Sequence, residues 1–262
     1  MAWDPAQYLR YGSERLRPAV DLLARVPLER VRTIADLGCG PGNVTALLAE
    51  RWPHAEILGV DADAAMLERA RMTHRARPQV RFEQADLAQW SAGAPLELLY
   101  SNAALHWLDD HSTLFPRLFA MVARGGALAV QMPCNFEAPS HTLLAETARS
   151  ARWCARLAAL VRATPVAPGR TYFSLLAPHA QTVDAWTTEY LHVLPAAADG
   201  EHPVVAWTRG TALTPFLAAL DVDAQAAFLA DYRARIAGAY ATLADGRVLF
   251  PFRRVFVVAI RR

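Results

Sequence analysis

Lysine is absent from these 262 residues, so all 27 strongly basic side chains are arginine. Any buried contact to an anion must therefore use guanidinium, which grips carboxylates in a bidentate fork. Against 25 acidic residues the net charge is only +2, which argues for no particular polyanionic partner. Cysteine is scarce. Cys39, Cys134 and Cys154 are far apart and odd in number, and no C-x-x-C or Cys/His cluster has metal-ligand spacing. Neither a disulfide framework nor a metal site is expected, and a reducing, cytoplasmic setting is the default. No apolar run is long enough to span a membrane. The stretch Met1-Ala2-Trp3-Asp4-Pro5 offers neither the basic nor the apolar region of a secretion signal. With 53% apolar and 20% charged residues the chain is not of the disordered class. Its length admits one α/β domain with an added cap, or two small domains.

What is present centres on Ile34-Ala35-Asp36-Leu37-Gly38-Cys39-Gly40-Pro41-Gly42-Asn43. An apolar run breaks into three glycines at alternate positions, and a helical pattern follows at once. This reads as strand, tight loop and helix N-terminus. Glycine lets the chain turn sharply and lets a ligand approach the backbone, and the helix start offers free N–H groups. The spacing is not the G-x-G-x-x-G of dinucleotide folds, which argues against a dehydrogenase. An acid ahead of G-x-G-x-G instead resembles motif I of the S-adenosylmethionine-dependent methyltransferases, whose cofactor carries an amino acid group and a sulfonium but no phosphate.

Along the chain, strands are expected at 33–37, 56–60, 80–83, 96–100 and 127–131, the last announced by a turn at Arg124-Gly125-Gly126. Helices are expected at 43–52, 64–72 and 113–122. Such alternation predicts a parallel, doubly wound sheet. Asp61 ends the second strand 19 residues beyond Gly42, where nucleotide-binding folds hold a ribose hydroxyl. Asp63 suits the N-cap of the next helix. Asp86 after the third strand can bond an adenine amino group while Leu87 packs on the ring. Asn102 follows the fourth strand. Asp36, Asp61, Asp86 and Asn102 thus converge on one sheet edge. Before the sheet, a helix is expected from Pro18, in its first turn, to Arg25. It is read either as packed on the sheet or, with Trp3, Tyr8 and Tyr11, as a lid. After Met132 a helix over 142–161 and a Pro/Gly-rich run at 164–170 suggest a cap with a mobile loop. A late strand at 182–194, helices at 203–209, 215–220 and about 221–243, and a last strand at 254–260 complete the chain. The corresponding divisions are 1–30 (lid), 31–132 (cofactor-binding core), 133–180 (cap) and 181–262 (closing strands and helices).

Trp3-Asp4-Pro5-x-x-Tyr8, Arg17-Pro18-Ala19, Ala35 to Asn43, Leu128 to Pro133 and Trp207-x-x-Gly210-Thr211 together resemble the trans-aconitate 2-methyltransferase family, from Trp3 to the last strand. The resemblance implies a Rossmann-like, seven-stranded class I fold with an antiparallel last strand. It implies S-adenosylmethionine contacts at Asp36, Gly38, Asp61, Asp86, Leu87 and Asn102, beside the loop glycines Gly40 and Gly42. It also implies a carboxylate acceptor, trans-aconitate, in a pocket roofed by the N-terminal segment and the cap. Two positions depart from the family pattern: Thr214 stands where an arginine is common, and Cys134 where an aspartate is common.

A carboxylate is already ionised at neutral pH, so its methylation needs placement rather than a general base. Tyr8, Arg17, Arg170, Arg209 and Arg254 are the candidates for holding spectator carboxylates. Taken singly, each arginine among the 27 is read more readily as a solvated surface side chain. Arg254 has the best context, at the start of the last strand. His106 and Trp107 are expected to position the acceptor, Trp107 being equally suited to core packing. Gln131 could point into the core or the pocket. Other readings are a methyltransferase of a different small molecule and a non-catalytic S-adenosylmethionine-binding protein. Nucleic-acid methylation is disfavoured, because no basic run is interleaved with aromatics and Asn102-Ala103-Ala104-Leu105 is no N-P-P-Y motif. A monomer without membrane contact is expected.

Overall fold

The structure, a computed structural model, describes residues 12–164, 166–197 and 199–262. Tyr8, with Trp3 and Tyr11, lies outside the described residues. Seven strands form one sheet in the order β3-β2-β1-β4-β5-β7-β6. They are β1 (Thr33–Leu37), β2 (Glu56–Asp61), β3 (Val80–Gln84), β4 (Leu96–Asn102), β5 (Val122–Pro133), β6 (Ala180–Leu194) and β7 (Val248–Arg261). The first five pair in parallel, and β7 runs antiparallel to β5 with Gln131 opposite Phe256 and Pro133 opposite Arg254. The expected seven-stranded α/β fold with an antiparallel last strand is what forms. Parallel strands are covered on both faces, which is why Ile34 to Leu37, Leu98 to Ser101 and Ala127 to Met132 are buried without a break.

The chain divides into two compact units. The first comprises residues 12–133, 166–188 and 254–262; the second comprises 134–164, 189–197 and 199–253. Residues 166–180, expected within the cap, fall in the first unit together with 181–188.

In the first unit, α1 (Gly12–Ala24) extends six residues ahead of Pro18, which lies inside the helix rather than in its first turn. Burial of Pro18 and Ala19 offsets the missing N–H. The buried Tyr100 hydroxyl donates to Ala19 O at 2.6 Å. Arg51 donates to Leu23 O and to Val26 O, satisfying carbonyls at the end of α1. The helices α2 (Asn43–Arg51), α3 (Ala64–Thr73) and α4 (His111–Ala120) fall near their expected places. Asp63 caps α3 through Ala65 N and Met66 N. One expectation fails in kind. Arg124-Gly125-Gly126 is a bulge inside β5, not a turn before it. Leu96 pairs with Val122 and Leu98 with Ala127, so Glu97 faces four residues. Gly125 takes φ +77, and a Cβ on Gly126 would lie 2.7 Å from Glu97 O.

In the second unit the expected helix over 142–161 is broken. α5 (Pro139–Arg149) ends at Ser150, whose hydroxyl donates to Thr147 O, and α6 (Cys154–Leu157) follows. A serine that can bond its own backbone competes with helix continuation. In the first unit α7 (Gly169–Leu176) precedes β6. Then come α8 (Pro203–Arg209), α9 (Thr214–Ala218) and α10 (Val222–Ala239). Trp153, Trp207, Phe216, Phe228, Phe250 and Phe252 fill the core of this unit. β7 begins at Val248, well ahead of the expected residue 254. Pro251, which has no N–H to give a ladder, disguises the start.

Candidate functional site

The three loop glycines all adopt positive φ: Gly38 +74°, Gly40 +53° and Gly42 +84°. This conformation is cheap only for glycine. At Gly38 the requirement is also spatial, because a Cβ there would lie 2.0 Å from Ala104 Cβ; Leu87 Cδ1 is the next side chain at 3.8 Å. At Gly40 nothing lies within 4 Å of a built Cβ, so the middle of the loop faces open space. The loop is sewn to β2 by Gly38 N and Cys39 N, which donate to Val60 O at 2.8 and 3.1 Å.

Asp61 has a task that sequence reasoning missed. Its Oδ2 accepts from Gly40 N at 2.8 Å and its Oδ1 from Asp63 N at 2.9 Å. It braces the glycine loop and keeps further lone pairs for a ligand. Its 21-residue separation from Gly40 was visible, but nothing in the spacing told a brace from a ribose ligand.

Asp36 is buried beneath the loop, and its Oδ2 accepts from Thr45 Oγ1 at 2.7 Å. Burial pushes its carboxyl up to about 7. The nearby Asp61 charge adds to the rise, and the Thr45 bond opposes it. Burial, with the Asp36 and Asp61 charges behind it, also raises the Cys39 thiol, so Cys39 packs as an inert apolar group. Asp86 is exposed, and its Oδ1 accepts from Ala88 N at 2.9 Å. Leu87 is buried.

β4 delivers Asn102, whose buried Oδ1 has no hydrogen-bond partner among the described residues. The next residue, Ala103, takes φ +55°, a left-handed conformation that is costly for a residue with a Cβ. Its N–H donates to Gln131 O at 2.9 Å. A short 3₁₀ turn, Leu105–Trp107, follows. His106 and Trp107 lie ring against ring at 4.8 Å, and Trp107 is 54% exposed. The option of core packing for Trp107 is thus overturned. Beneath this turn His111 Nε2 bonds Leu105 O at 3.0 Å. A carbonyl can only accept, so that nitrogen carries the proton. Nδ1 then accepts from the Tyr172 hydroxyl at 2.7 Å. Tyr172 in turn accepts from Ala167 N at 3.0 Å.

The arginines separate. Arg254 is buried, 4% exposed, and its Nη1 donates to Gln131 Oε1 at 3.4 Å. Gln131, fully buried, pairs in register with Asn102. Arg254 on β7, Gln131 on β5 and Asn102 at the end of β4 thus stand on neighbouring strands in the first unit. Arg17, on α1, and Arg170, on α7, are exposed. Arg209 belongs to the second unit and is spent on Glu201, with Nη2 donating to Oε2 at 3.1 Å. Glu201 also takes two bonds from Arg233, at 2.6 and 2.7 Å. Burial raises its carboxyl, but the Arg233 pair, the His202 N–H and Arg209 outweigh it and hold it below the usual range. Thr214 donates to Arg209 O at 3.2 Å, a local bond near the start of α9. The second unit carries an open cavity of about 660 Å³ lined by Cys134, Asn135, Glu137, Glu189, Tyr240 and Arg253, among others. Two carboxylates against one arginine make it a poor receptacle for a tricarboxylate.

Among the described residues no cluster of His, Cys, Asp and Glu could hold a metal ion, and no helix is long and apolar enough to cross a membrane. The first unit instead suits a cationic, phosphate-free nucleoside. It offers a glycine cradle open at Gly40, an orphaned acceptor at Asn102, a carboxylate at the end of β2 and an apolar side chain at Leu87.

Comparison with known proteins agrees. A sequence profile described as a methyltransferase domain matches residues 34–126. A trans-aconitate 2-methyltransferase of Azoarcus sp. (strain BH72) is 49% identical over 99% of both chains. One of Methylobacterium nodulans is 51% identical over 99% of this chain and 98% of its own. Among solved structures, phosphoethanolamine N-methyltransferase 2 of Haemonchus contortus, bound to S-adenosylhomocysteine, superposes with a TM-score of 0.55 at 13% identity. The match covers 94% of this chain and 53% of that one, and it supports the fold alone. With close relatives matching from end to end, the chain belongs to the trans-aconitate 2-methyltransferase family of S-adenosylmethionine-dependent methyltransferases.

Proposed function

We propose that this chain methylates a carboxylate of trans-aconitate, releasing the methyl ester and S-adenosylhomocysteine. The observation that carries the acceptor class is Arg254, a buried guanidinium on β7 whose Nη1 reaches Gln131, itself in register with Asn102. A guanidinium offers paired N–H donors that match the two oxygens of a carboxylate, and a tricarboxylate presents several such groups.

The cofactor brings an electrophilic methyl carbon on a sulfonium. Around it, Gly38, Gly40 and Gly42 offer bare backbone, Asp61 keeps lone pairs for the ribose, and Asp86 and Leu87 flank the adenine. Asn102 Oδ1 accepts an N–H donor. Arg254 holds a spectator carboxylate, while His106 and Trp107 wall the acceptor. Bound there, the sulfonium would supply its methyl group to a carboxylate that is already ionised, so no proton would move and no base is required. Placement is then the main contribution, worth roughly 7–11 kcal/mol in well-oriented systems. Arg17 and Arg170, both exposed, are secondary candidates, and Arg209 is occupied by Glu201.

The test is a screen of small di- and tricarboxylic acids for S-adenosylhomocysteine release and ester formation. Trans-aconitate should be turned over fastest. Saturable cofactor binding with no ester from any acid sinks the proposal. A faster dicarboxylate would reassign the acceptor, a result that Thr214 in place of the family's arginine makes worth seeking.

A further inference from the structure

The first unit carries a second, separate concentration of charge. Between residues 68 and 82 stand five arginines and one acid, in a chain whose net charge is only +2. Four of them, Arg71, Arg75, Arg77 and Arg81, line a cleft of about 300 Å³ at the end of α3 and the start of β3, with His74 and Phe82. That volume lies at the lower bound for small-molecule sites.

The cations around the cleft are weakly engaged. Arg77 reaches Glu50 at 3.6 Å and His74 Nδ1 at 3.5 Å, both long for such contacts. Arg71 donates one N–H to Phe82 O at 3.2 Å. Arg75 and Arg81 are exposed. Replacing such contacts by an anion gripped in guanidinium forks sacrifices little.

His74 links the cleft to the cofactor loop. It is 3% exposed, and its Nε2 bonds Gly42 O at 2.9 Å. A carbonyl only accepts, so Nε2 carries the proton and Nδ1 turns its lone pair to Arg77. The fit on the loop side is close, since a Cβ on Gly42 would lie 2.8 Å from His74 Nε2.

We propose that this arginine cleft is a binding site for a small, multiply charged anion, a polycarboxylate or a polyphosphate, and that its occupancy is transmitted through His74 to Gly42. An anion draws Arg77 off Nδ1 and sets negative charge beside the imidazole. Released from Arg77, the imidazole settles on Gly42 O, which its Nε2–H already holds at 2.9 Å. The cofactor loop is then held in its ligand-ready form, and cofactor affinity rises. The small volume of the cleft, about 300 Å³, favours a small ion over a nucleic acid.

The test is calorimetric titration of the full chain with pyrophosphate and with citrate, at matched ionic strength. It compares the wild type with an Arg75→Ala/Arg81→Ala variant, whose altered side chains are exposed. One-to-one binding should weaken at least about tenfold in the variant. S-adenosylhomocysteine affinity should rise about fivefold with anion in the wild type and not in the variant. Citrate alone responding points to a polycarboxylate, and pyrophosphate alone to a polyphosphate. Binding that survives unchanged in the variant places the anion elsewhere, as citrate in the acceptor site would, and overturns the proposal. So does a response to ionic strength alone, or tighter binding of an oligonucleotide. Unchanged S-adenosylhomocysteine affinity with anion bound overturns the link to Gly42. None of these assays involves turnover, so their failure leaves the methyl-transfer reading untouched.

Discussion

The loop after β1 and the turn after β4 sit side by side on the sheet and solve the same problem by opposite means. Both must bend the chain sharply so that backbone and short side chains face a ligand. After β1 the bend is made by glycines whose positive φ costs little. After β4 it is made by Ala103 at φ +55°, against its own preference, with its N–H tied to Gln131 O. The two bends press together where Gly38 leaves room for Ala104. The loop's shape is therefore intrinsic, whereas the turn's shape is imposed by its neighbours.

The largest effect should come from crowding the seam between them. Gly38→Ala puts a Cβ where 2.0 Å separates it from Ala104, at φ +74°. Cofactor affinity should fall at least about 100-fold by S-adenosylhomocysteine titration, on the scale of two to three kcal/mol for enforced overpacking and strain. An affinity within a fewfold of wild type would mean that the loop is not where the cofactor binds.

Next is the acceptor side. Arg254→Gln should cut kcat/KM for trans-aconitate about 100-fold, consistent with losing one partner of a buried charge pair. S-adenosylhomocysteine affinity should change little. Parallel losses in both would instead make Arg254 a structural residue.

Asp36 separates intrinsic from imposed behaviour through pH. Its carboxyl titrates at about 7 in the folded protein, against an ordinary aspartate value of 3.8. The native state thus holds a proton that the unfolded chain has lost, and the group costs progressively more stability as pH rises from about 4 through 7. Asp36→Asn should remove that slope, stabilising the protein at pH 8 by about 4 kcal/mol at most. A cationic ligand nearby would reverse the cost, so cofactor binding at pH 6 should release close to one proton. Calorimetry in buffers of different ionisation enthalpy measures it, and zero release contradicts the assignment.

His111 tests the support beneath the turn. Burial lowers its pKa, only partly offset by its bonds to Leu105 and Leu108 and by the nearby Asp109 and Asp110 charges. A buried neutral histidine resists protonation, so stability is full above the unfolded value near 6.5 and is lost as pH falls below it. Tyr172→Phe removes the donor to Nδ1, raises the His111 pKa and should move the acid limb of the activity profile to higher pH. An unmoved limb would detach this pair from the active turn.

The smallest effect is the most diagnostic of imposed strain. Ala103→Gly should leave folding stability unchanged or raised by up to about 1 kcal/mol, since relief of left-handed strain offsets the freedom gained by the unfolded chain. A loss above about 1 kcal/mol, read by denaturant melts, would mean that Ala103 is not strained.

The same contrast explains what could be read from residues alone. Gly38, Gly40 and Gly42 advertise positive φ, and the acids and Asn102 at the strand ends follow from the alternation of elements. Ala103 advertises nothing, because alanine is at home almost anywhere. Gly125-Gly126 was legible as a break but not as a bulge, since the same pair serves both and only the register with Glu97 decides. Arg209 stood among the candidates beside Arg254, and nothing in its spacing revealed that Glu201 holds it. Such pairings follow three-dimensional packing and leave no mark in spacing. The arginine cleft was likewise unmarked, because its meaning depends on His74 meeting Gly42.

Among the described residues β6 closes the sheet order, with no further strand on its outer flank. Its sequence is rich in β-branched and aromatic residues, and Leu191 and Val193 are exposed. An open edge of that composition is a template on which another chain can add a strand. The charges spaced along it, Asp184 paired with Arg25 and the exposed Glu189, act as gatekeepers against self-association. Without those two carboxylates the β6 edge would carry no acid to resist strand addition.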